Sequence, residues 1–360
     1  MTLPQHPGRM RRPRLAGLTA AGAALALLLA ACSSGADAEA GDDESDGAAD
    51  HGPLTVQLSL IKNAEFAGEF FADSEGYFAD AGFSSVTLNA GPGATESIVL
   101  SGGADFGLSN AVSVGQVVAE EDAPLKIVGT TFQKNPFTIL SLADAGDIAT
   151  PEDLVGKRIG VQAGPNEALF DALLAVNDID PSQVTKVPVE YDPSSLVNGE
   201  VDGFLAYVTN ESITVEAEGH AVTNLLFADN GLPFVAESVV TTDEMIANEP
   251  EKVKAFLQAE ILGWKDAIVD LEGGARLAVE EYGADLELDL DKEIAQATIQ
   301  AETLIVTDET KENGLFTISD ALIEQNMQTL AAAGIELEAE DLFDLSLLTE
   351  LLEEQPDLAK

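Results

Sequence analysis

The part of the sequence that most restricts the fold lies at residues 154–176, LVGKRIGVQAGPNEALFDALLAV, where a strand, a glycine turn and a helix follow one another. Residues 158–162 are predicted as an apolar strand and residues 163–165 as a tight break. Asn166 is predicted as the N-cap of the helix, whose apolar positions recur every three or four residues. Such a turn aims unpaired backbone N–H groups at the space above it, where ligands bind in open α/β sheets. Asn166 and Glu167 are therefore candidate ligand contacts, although an ordinary capped βα loop would have the same pattern.

The beginning of the chain is predicted to be a targeting segment. Residues 1–31 combine a basic start with an apolar run that ends in Leu-Ala-Ala before Cys32. This ending resembles a bacterial lipobox, so residues 1–31 are predicted as a lipoprotein signal peptide and Cys32 as the lipidated first residue. An ordinary cleaved signal peptide and an uncleaved anchor are the alternatives. Residues 32–52 are acidic and of low complexity, which predicts a flexible tether.

Composition excludes several classes of function. The net charge of −47 leaves no basic footprint for nucleic acid. Because Cys32 is the only cysteine, the rest of the chain has neither a disulfide nor a thiolate metal site. No nucleophile elbow, zinc-protease helix, phosphate-binding loop or calcium loop occurs. We therefore expect a protein that is not an enzyme and that has no metal and no cofactor.

Strands and helices alternate from Leu54 onward, and the pattern restarts after Pro136. Residues 102–105 and 199–202 both read G-x-x-D at equivalent places in the two series, which suggests two similar lobes. Beyond residue 241 the chain is predicted to be helical, with Pro250 opening a long helix to about Val269. The only tryptophan, Trp264, is expected in the core of that region.

Several segments in order carry a family resemblance, and they lie at residues 75–83, 100–107, 151–160, 198–203, 207–211 and 263–264. Together they resemble the substrate-binding proteins of bacterial ABC importers in the NMT1/THI5-like group, which is related to sulfonate- and nitrate-binding proteins. The resemblance implies an α/β, type II periplasmic-binding-protein fold, with two α/β lobes and a ligand cleft between them. Lobe 1 would comprise residues 53–137 plus 238–360 and lobe 2 residues 138–237, joined by crossovers near 135–140 and 234–239. It also implies a small-molecule solute, an ABC permease and its ATPase as partners, and a monomer on the outer face of the cytoplasmic membrane.

The tip of the first strand bears on the identity of the ligand. The pyrimidine-binding branch of the family includes a fungal enzyme that makes the pyrimidine from its own histidine and pyridoxal phosphate. That branch has Trp early in residues 61–68 and His where Phe66 stands, and this chain has neither. The enzymic interpretation therefore loses its reactive group. Phe66 together with residues 164–167 is more similar to the flavin-binding branch.

From these residues we expect an aromatic heterocycle that stacks on Phe66 or a nearby ring, with Gly93 allowing close backbone approach. The candidates for a second ring are Tyr191, Tyr207 and Phe234. Its polar edge would be read by carboxylate and amide side chains, namely Asn63, Glu65, Asn110, Asn166, Glu167, Asn210 and Glu211. Carboxylates suit N–H donors and repel anions. The predicted solute is a thiamine-precursor pyrimidine or related vitamin. Riboflavin is the alternative, a sulfonate or nitrate is less favoured, and a sensory or adhesin-like surface protein would share the same fold.

Overall fold

The computed structural model describes residues 50–91 and 93–360. The predicted signal peptide, the lipidation site at Cys32 and almost all of the predicted tether lie outside the described residues. None of the described helices is long and apolar enough to cross a membrane.

The described chain contains ten strands, and they occur where alternating or continuous apolar runs end at glycine or polar turns. They are β1 (Gly52–Gln57), β2 (Phe83–Asn89), β3 (Phe106–Ser109), β4 (Leu125–Phe132), β5 (Phe137–Leu142), β6 (Arg158–Val161), β7 (Thr185–Pro188), β8 (Gly203–Tyr207), β9 (Val222–Leu226) and β10 (Ala236–Thr242).

Helices connect these strands and make up the region after β10. They are α1 (Ala67–Ser74), α2 (Tyr77–Asp80), α3 (Thr95–Leu100), α4 (Ala111–Glu121), α5 (Pro165–Val176), α6 (Ser194–Val197), α7 (Glu211–Ala217), α8 (Asp243–Asn248), α9 (Pro250–Val269), α10 (Leu271–Leu277), α11 (Leu290–Gln300), α12 (Asp308–Asn313), α13 (Asp320–Ala332), α14 (Ala339–Leu342) and α15 (Ser346–Glu354). Wider π-helical turns continue α10 and α11, at Ala278–Tyr282 and Ala301–Ile305, and 3₁₀ turns lie at Ala64–Phe66, Pro151–Leu154, Pro181–Gln183 and Pro356–Ala359.

The strands form two five-stranded sheets with the same plan. Sheet 1 has the order β2-β1-β3-β10-β4 and sheet 2 the order β7-β6-β8-β5-β9. In each sheet the first three strands are parallel and the last two are antiparallel to their neighbours. The predicted fold class of two α/β lobes is confirmed.

The two G-x-x-D segments occupy matching positions in the sheets. The Asp105 carboxylate accepts the Thr55 backbone N–H at 2.8 Å, next to the start of β3. The Asp202 carboxylate accepts the Arg158 backbone N–H at 2.8 Å, next to the start of β8. Each aspartate therefore joins the beginning of one parallel strand to its neighbour. The short sequence echo reflects a shared structural role.

Two chain crossings connect the sheets, between β4 and β5 and between β9 and β10. Asn135 in the first crossing is buried; its side chain donates to the Leu232 carbonyl at 2.7 Å and accepts the Phe137 N–H at 3.1 Å. In the second crossing, the Val235 N–H donates to the Asn326 side chain of α13 at 2.9 Å. These bonds fix the crossings against one another and against α13. The exact lobe boundaries stay a prediction.

The close packing of α1 on α9 organises the core of sheet 1. Trp264 is 2% exposed, as expected for a core residue. A Cβ atom at Gly263 would lie 2.2 Å from the Gly68 carbonyl oxygen, so the two backbones approach too closely for any other residue. At this helix contact Gly263 therefore allows the two backbones to approach, and Trp264 fills the space beside them.

Two local features differ from the sequence-based expectation. The helix after β6 begins at Pro165, with Gly164 in the capping position at φ 88°, so the prediction of Asn166 as N-cap is wrong. Proline favours the first helical position, and the positive φ favours glycine before it. The edge strand β9 was not predicted, because Thr223 and Asn224 interrupt its apolar pattern.

Candidate functional site

A cavity of about 530 Å³ lies between the two sheets and is the candidate site. Its walls come from the carboxyl ends of parallel strands in both sheets, which is where open α/β sheets bind ligands. Sheet 1 and its helices contribute Ser59, Leu60, Gly93, Ala94, Thr95, Glu96, Ser97, Leu108, Ser109, Asn110, Ser113, Gln116, Val117, Glu120 and Glu237. Sheet 2 and its helices contribute Phe137, Gln162, Asn166, Tyr191, Leu205, Ala206, Tyr207, Asn210 and Glu211.

Six of the ten predicted site residues line this cavity, namely Gly93, Asn110, Asn166, Tyr207, Asn210 and Glu211. Asn110 caps α4, where its side-chain oxygen accepts the Val112 and Ser113 N–H groups at 3.1 and 2.9 Å. The Asn166 amide donates to the Gln162 side chain at 3.2 Å. The structure thus brings these six together, and their roles in binding stay predictions.

Asn63, Glu65 and Phe66 do not line the cavity. All three are completely buried, on the 3₁₀ turn Ala64–Phe66 and at its N-cap. The Asn63 side chain is used to cap the turn, accepting the Glu65 N–H at 3.2 Å. The Phe66 ring belongs to the same apolar cluster as Phe70, so stacking on a solute would require the core to open. Tyr207 and Tyr191 are the rings with phenolic groups at the cavity instead.

Glu167 also lies outside the cavity lining. Its carboxylate pairs with the Lys186 ammonium at 2.8 Å, and its side chain is 53% exposed. Being in the first turn of α5, it turns toward β7 and solvent, where Lys186 also pairs with Asp171 at 2.9 Å. Its position is that of an exposed ion pair, which contributes little to stability.

The charge of the cavity lining has one sign. Four lining residues are glutamates and none of the described lining residues is Lys, Arg or His; the four are Glu96, Glu120, Glu211 and Glu237. Among the described residues no group of three or more His, Cys, Asp or Glu side chains has an arrangement suited to a metal ion. The site therefore presents carboxyl groups, amides and phenols to a bound molecule.

Glu237 is the most unusual lining residue. It lies in β10, is 3% exposed and has a left-handed backbone with φ 44°, which is strained for a non-glycine residue. The Ser59 hydroxyl is its hydrogen-bond donor, 2.9 Å from both carboxylate oxygens. Burial raises the pKa of Glu237 to about 7, although the hydrogen bond from Ser59 and the nearby Glu65 carboxyl group act to lower it.

Glu65 faces Glu237 from behind the cavity wall. Neither of its carboxyl oxygens has a well-formed hydrogen bond within the described chain. Burial, and next the negative charge of Glu237, raise the pKa of Glu65 well above its usual range. Two buried carboxyl groups this close cannot both ionise readily, so at neutral pH the pair retains at least one proton.

Glu211 and Tyr207 form the opposite side of the same region. The Glu211 carboxylate accepts the Tyr207 N–H at 2.7 Å, and burial raises the pKa of Glu211. Burial, then the charge of Glu237, raises the pKa of the Tyr207 phenol. The Lys292 ammonium of α11 donates to the Asn210 side chain at 2.7 Å and joins the sheet 1 helices to sheet 2.

Sequence reasoning did not predict Ser59, Gln162 or Glu237. Ser59 and Gln162 closely follow strands β1 and β6, so strand-end position was an available signal. Glu237 is the one charged residue in the apolar run 232–240, and an acid within a buried strand indicates a special role.

Known proteins match this architecture. Residues 63–272, more than half of the chain, match the family model described as NMT1/THI5 like. The structure resembles a periplasmic sulfonate-binding protein, SsuA, from Methylobacillus flagellatus, with a TM-score of 0.62, 16% identity and coverage of 86% of this chain and 96% of that one. At this identity the likeness concerns the fold alone.

Curated relatives have different activities. The riboflavin-binding protein RibY from Chloroflexus aurantiacus is 24% identical over 261 residues, covering 70% of each chain. A formylaminopyrimidine-binding protein from Halalkalibacterium halodurans is 26% identical, covering 59% of this chain and 65% of its own length. A 4-amino-5-hydroxymethyl-2-methylpyrimidine phosphate synthase from Schizosaccharomyces pombe is 26% identical, covering 53% and 58%. The two matched sheets and the cavity between them agree with the family match. The chain belongs to the NMT1/THI5-like family, because the family model matches more than half of it.

Proposed function

We propose that this protein is the extracytoplasmic solute-binding subunit of an ABC importer, anchored to the membrane by lipid at Cys32 and acting as a monomer. The cavity would close over a small aromatic N-heterocycle, a thiamine-precursor pyrimidine or related vitamin, and the closed form would deliver it to a permease and its ATPase. Family membership and a cavity between two similar sheets support this role.

The observation that carries the choice of solute is the charge of the lining. Four carboxyl groups and no basic side chain among the described lining residues would repel a sulfonate or nitrate. The same groups accept hydrogen bonds from ring or exocyclic N–H groups. Tyr191 and Tyr207 supply aromatic surface, and a volume of about 530 Å³ suits a molecule of vitamin size.

Riboflavin is the second candidate within this function. It is favoured by the relative named for riboflavin binding, whose similarity extends over 70% of both chains. The flavin ring system also presents a ring N–H donor. Phe66 does not support riboflavin, because that ring is completely buried.

A binding role is favoured over a synthase role. Relatives named as pyrimidine phosphate synthases exist, and the resemblance places the reactive histidine of that branch at Phe66 here. The histidines in the described part of the chain are His51 and His220, and neither lines the cavity.

A thermal-shift screen of the full chain in detergent would test the proposal. The panel would be 4-amino-5-hydroxymethyl-2-methylpyrimidine, formylaminopyrimidine, thiamine, riboflavin, taurine and nitrate. A ligand at 100 times its Kd adds about 2.7 kcal/mol to stability, which raises the Tm of a domain of this size by roughly 5 °C. We expect such a shift with a pyrimidine or riboflavin. Stabilisation by taurine or nitrate alone, or by none of the panel, would overturn the proposal.

A further inference from the structure

We propose that the Glu65–Glu237 carboxyl pair is the element that selects the solute: it recognises an N–H donor, and binding of that donor fixes the pair in its singly ionised form. This inference rests on the proposed function and names the chemistry of the group that the cavity takes.

The geometry places an incompletely bonded acceptor at the cavity wall. Glu237 lines the cavity, and the Ser59 hydroxyl is the one donor within 2.9 Å that the described chain supplies to its oxygens. A carboxylate can accept about four hydrogen bonds. Because Glu237 is 3% exposed, water can supply few of the remaining hydrogen bonds. A solute N–H group directed at Glu237 would satisfy it.

Glu65 explains why the pair of carboxyl groups carries one negative charge and not two. It is completely buried behind Glu237 and has no well-formed hydrogen bond of its own within the described chain. When Glu65 retains its proton, it can donate to Glu237 and leave the lining carboxylate as an acceptor toward the cavity. Glu65 is therefore a positioning residue, since it acts through Glu237 without lining the cavity.

The backbone supports the same assignment. The left-handed conformation of Glu237, at φ 44°, is costly for a residue with a Cβ atom, and such strain is concentrated at functional sites. It occurs within β10, where the ladder with β4 also shifts register between Val239 and Val240. An acid required only for packing would not need this conformation.

Other titratable groups face the pair and set its surroundings. Glu211 and Tyr207 approach from sheet 2, Tyr191 adjoins Tyr207, and Glu69 of α1 lies near Glu65 without lining the cavity. The Lys292 ammonium lies beyond Glu211, where it acts to lower the pKa of that group. Glu96 and Glu120 line the cavity from α3 and α4. The surroundings are dominated by acids, so a donor, above all a cationic one, is favoured over an acceptor.

The proposal has a definite pH sign. Burial raises the pKa of Glu237 to about 7, so below pH 7 the pair carries a second proton that an N–H donor must displace. Binding at pH 6 should therefore release close to one proton. Affinity should rise about tenfold between pH 6 and pH 8, since only the ionised fraction is competent. A solute carbonyl would instead accept from the protonated pair, and its affinity would fall over the same range.

Isothermal titration of the full chain tests this, with 4-amino-5-hydroxymethyl-2-methylpyrimidine and riboflavin as probes. Each is compared with an analogue that lacks the N–H, the 4-methoxy pyrimidine and 3-methylriboflavin. Titration at pH 6 in bis-Tris and in phosphate, two buffers with different ionisation enthalpies, measures the released proton, and repeats at pH 7 and 8 give the pH profile. These measurements need no variant.

Glu237→Gln should reduce affinity at pH 8 at least tenfold and abolish both the proton release and the pH profile. Glu121→Gln removes the same charge from the exposed end of α4, outside the cavity lining, and should preserve both. If a probe binds with an affinity that is flat or falls with pH, or if its methylated analogue binds equally well, the inference is wrong while the proposed function stands. If neither probe binds, and formylaminopyrimidine and thiamine also fail to bind in the same titration, the proposed function fails together with the inference.

Discussion

Replacing Glu69 by glutamine should make the protein more stable at pH 8 and change little at pH 5.5. Glu69 lies on α1 and is 1% exposed. Its Oε1 atom accepts the Trp264 indole N–H at 3.4 Å, and its other oxygen has no hydrogen bond within the described chain. Burial raises the pKa of Glu69 to about 8, and burial followed by the charge of Glu69 raises the pKa of its neighbour Glu260 well above the usual range.

The sign and the size follow from linkage. Glu69 keeps its proton in the folded protein up to about pH 8, whereas in the unfolded chain it ionises near 4.5. Its contribution to stability is fully present below pH 4.5 and is lost as pH rises through 8. At about 1.36 kcal/mol per pH unit, the interval from pH 5.5 to 8 removes on the order of 3 kcal/mol. The amide of the Glu69→Gln variant cannot ionise and retains an oxygen for the Trp264 indole, so this loss should disappear.

Urea unfolding of the full chain at the two pH values, followed by the fluorescence of Trp264, measures the effect. Glu75→Gln is the matched control, because it removes the same charge from an exposed position at the end of the same helix. We expect the control to follow the natural protein. Parallel loss of stability by the Glu69→Gln variant and the natural protein between pH 5.5 and 8 would refute the assignment of a buried, protonated Glu69.

Two further substitutions test other contacts. Gly263→Ala should lower the free energy of unfolding by about 1–3 kcal/mol, because the new Cβ would lie 2.2 Å from the Gly68 carbonyl oxygen. Gly93→Ala is the control and should leave urea unfolding unchanged, because a Cβ at Gly93 would meet its nearest atom at 3.7 Å. Lys292→Met should speed dissociation of a bound pyrimidine or riboflavin about tenfold in stopped-flow measurements, because it removes a charged hydrogen bond of about 1.5 kcal/mol to Asn210 that joins the two sheets; an unchanged dissociation rate would show that this contact does not hold the cavity closed.

Local signals were sufficient for most of the fold. The helix Pro250–Val269 agrees with the prediction of a helix from Pro250 to about Val269, because Pro at the first position and an apolar stripe define it without reference to the rest of the chain. The strand Val222–Leu226 was missed, because it is a short edge strand that exists through pairing with β5, some eighty residues earlier in the chain. Pairing partners at that separation leave no local pattern.

The candidate site was predictable where a residue follows a parallel strand. Asn110 and Asn210 come directly after β3 and shortly after β8, and both line the cavity. Phe66 was misplaced because a strand tip and a core-facing turn have the same sequence signal, and its burial depends on how helix α1 packs against α9. Glu237 was missed because β10 follows the second crossing. Its hydrogen-bond partner Ser59 lies 178 residues earlier in the chain, and all the strands of sheet 2 fall between the two.

The distribution of buried acids indicates that stability alone does not account for them. Among the glutamates in the described part of the chain, five are at most 3% exposed, namely Glu65, Glu69, Glu237, Glu260 and Glu293. They are not scattered: Glu260 adjoins Glu69, Glu69 and Glu237 act on Glu65, and Glu293 accepts the Ala64 N–H at 2.7 Å on the turn that carries Glu65. A wall built only for packing would use amide or apolar side chains, since buried ionisable groups cost several kcal/mol. Because the acids converge on the one that lines the cavity, their cost is best explained by control of the proton at Glu237.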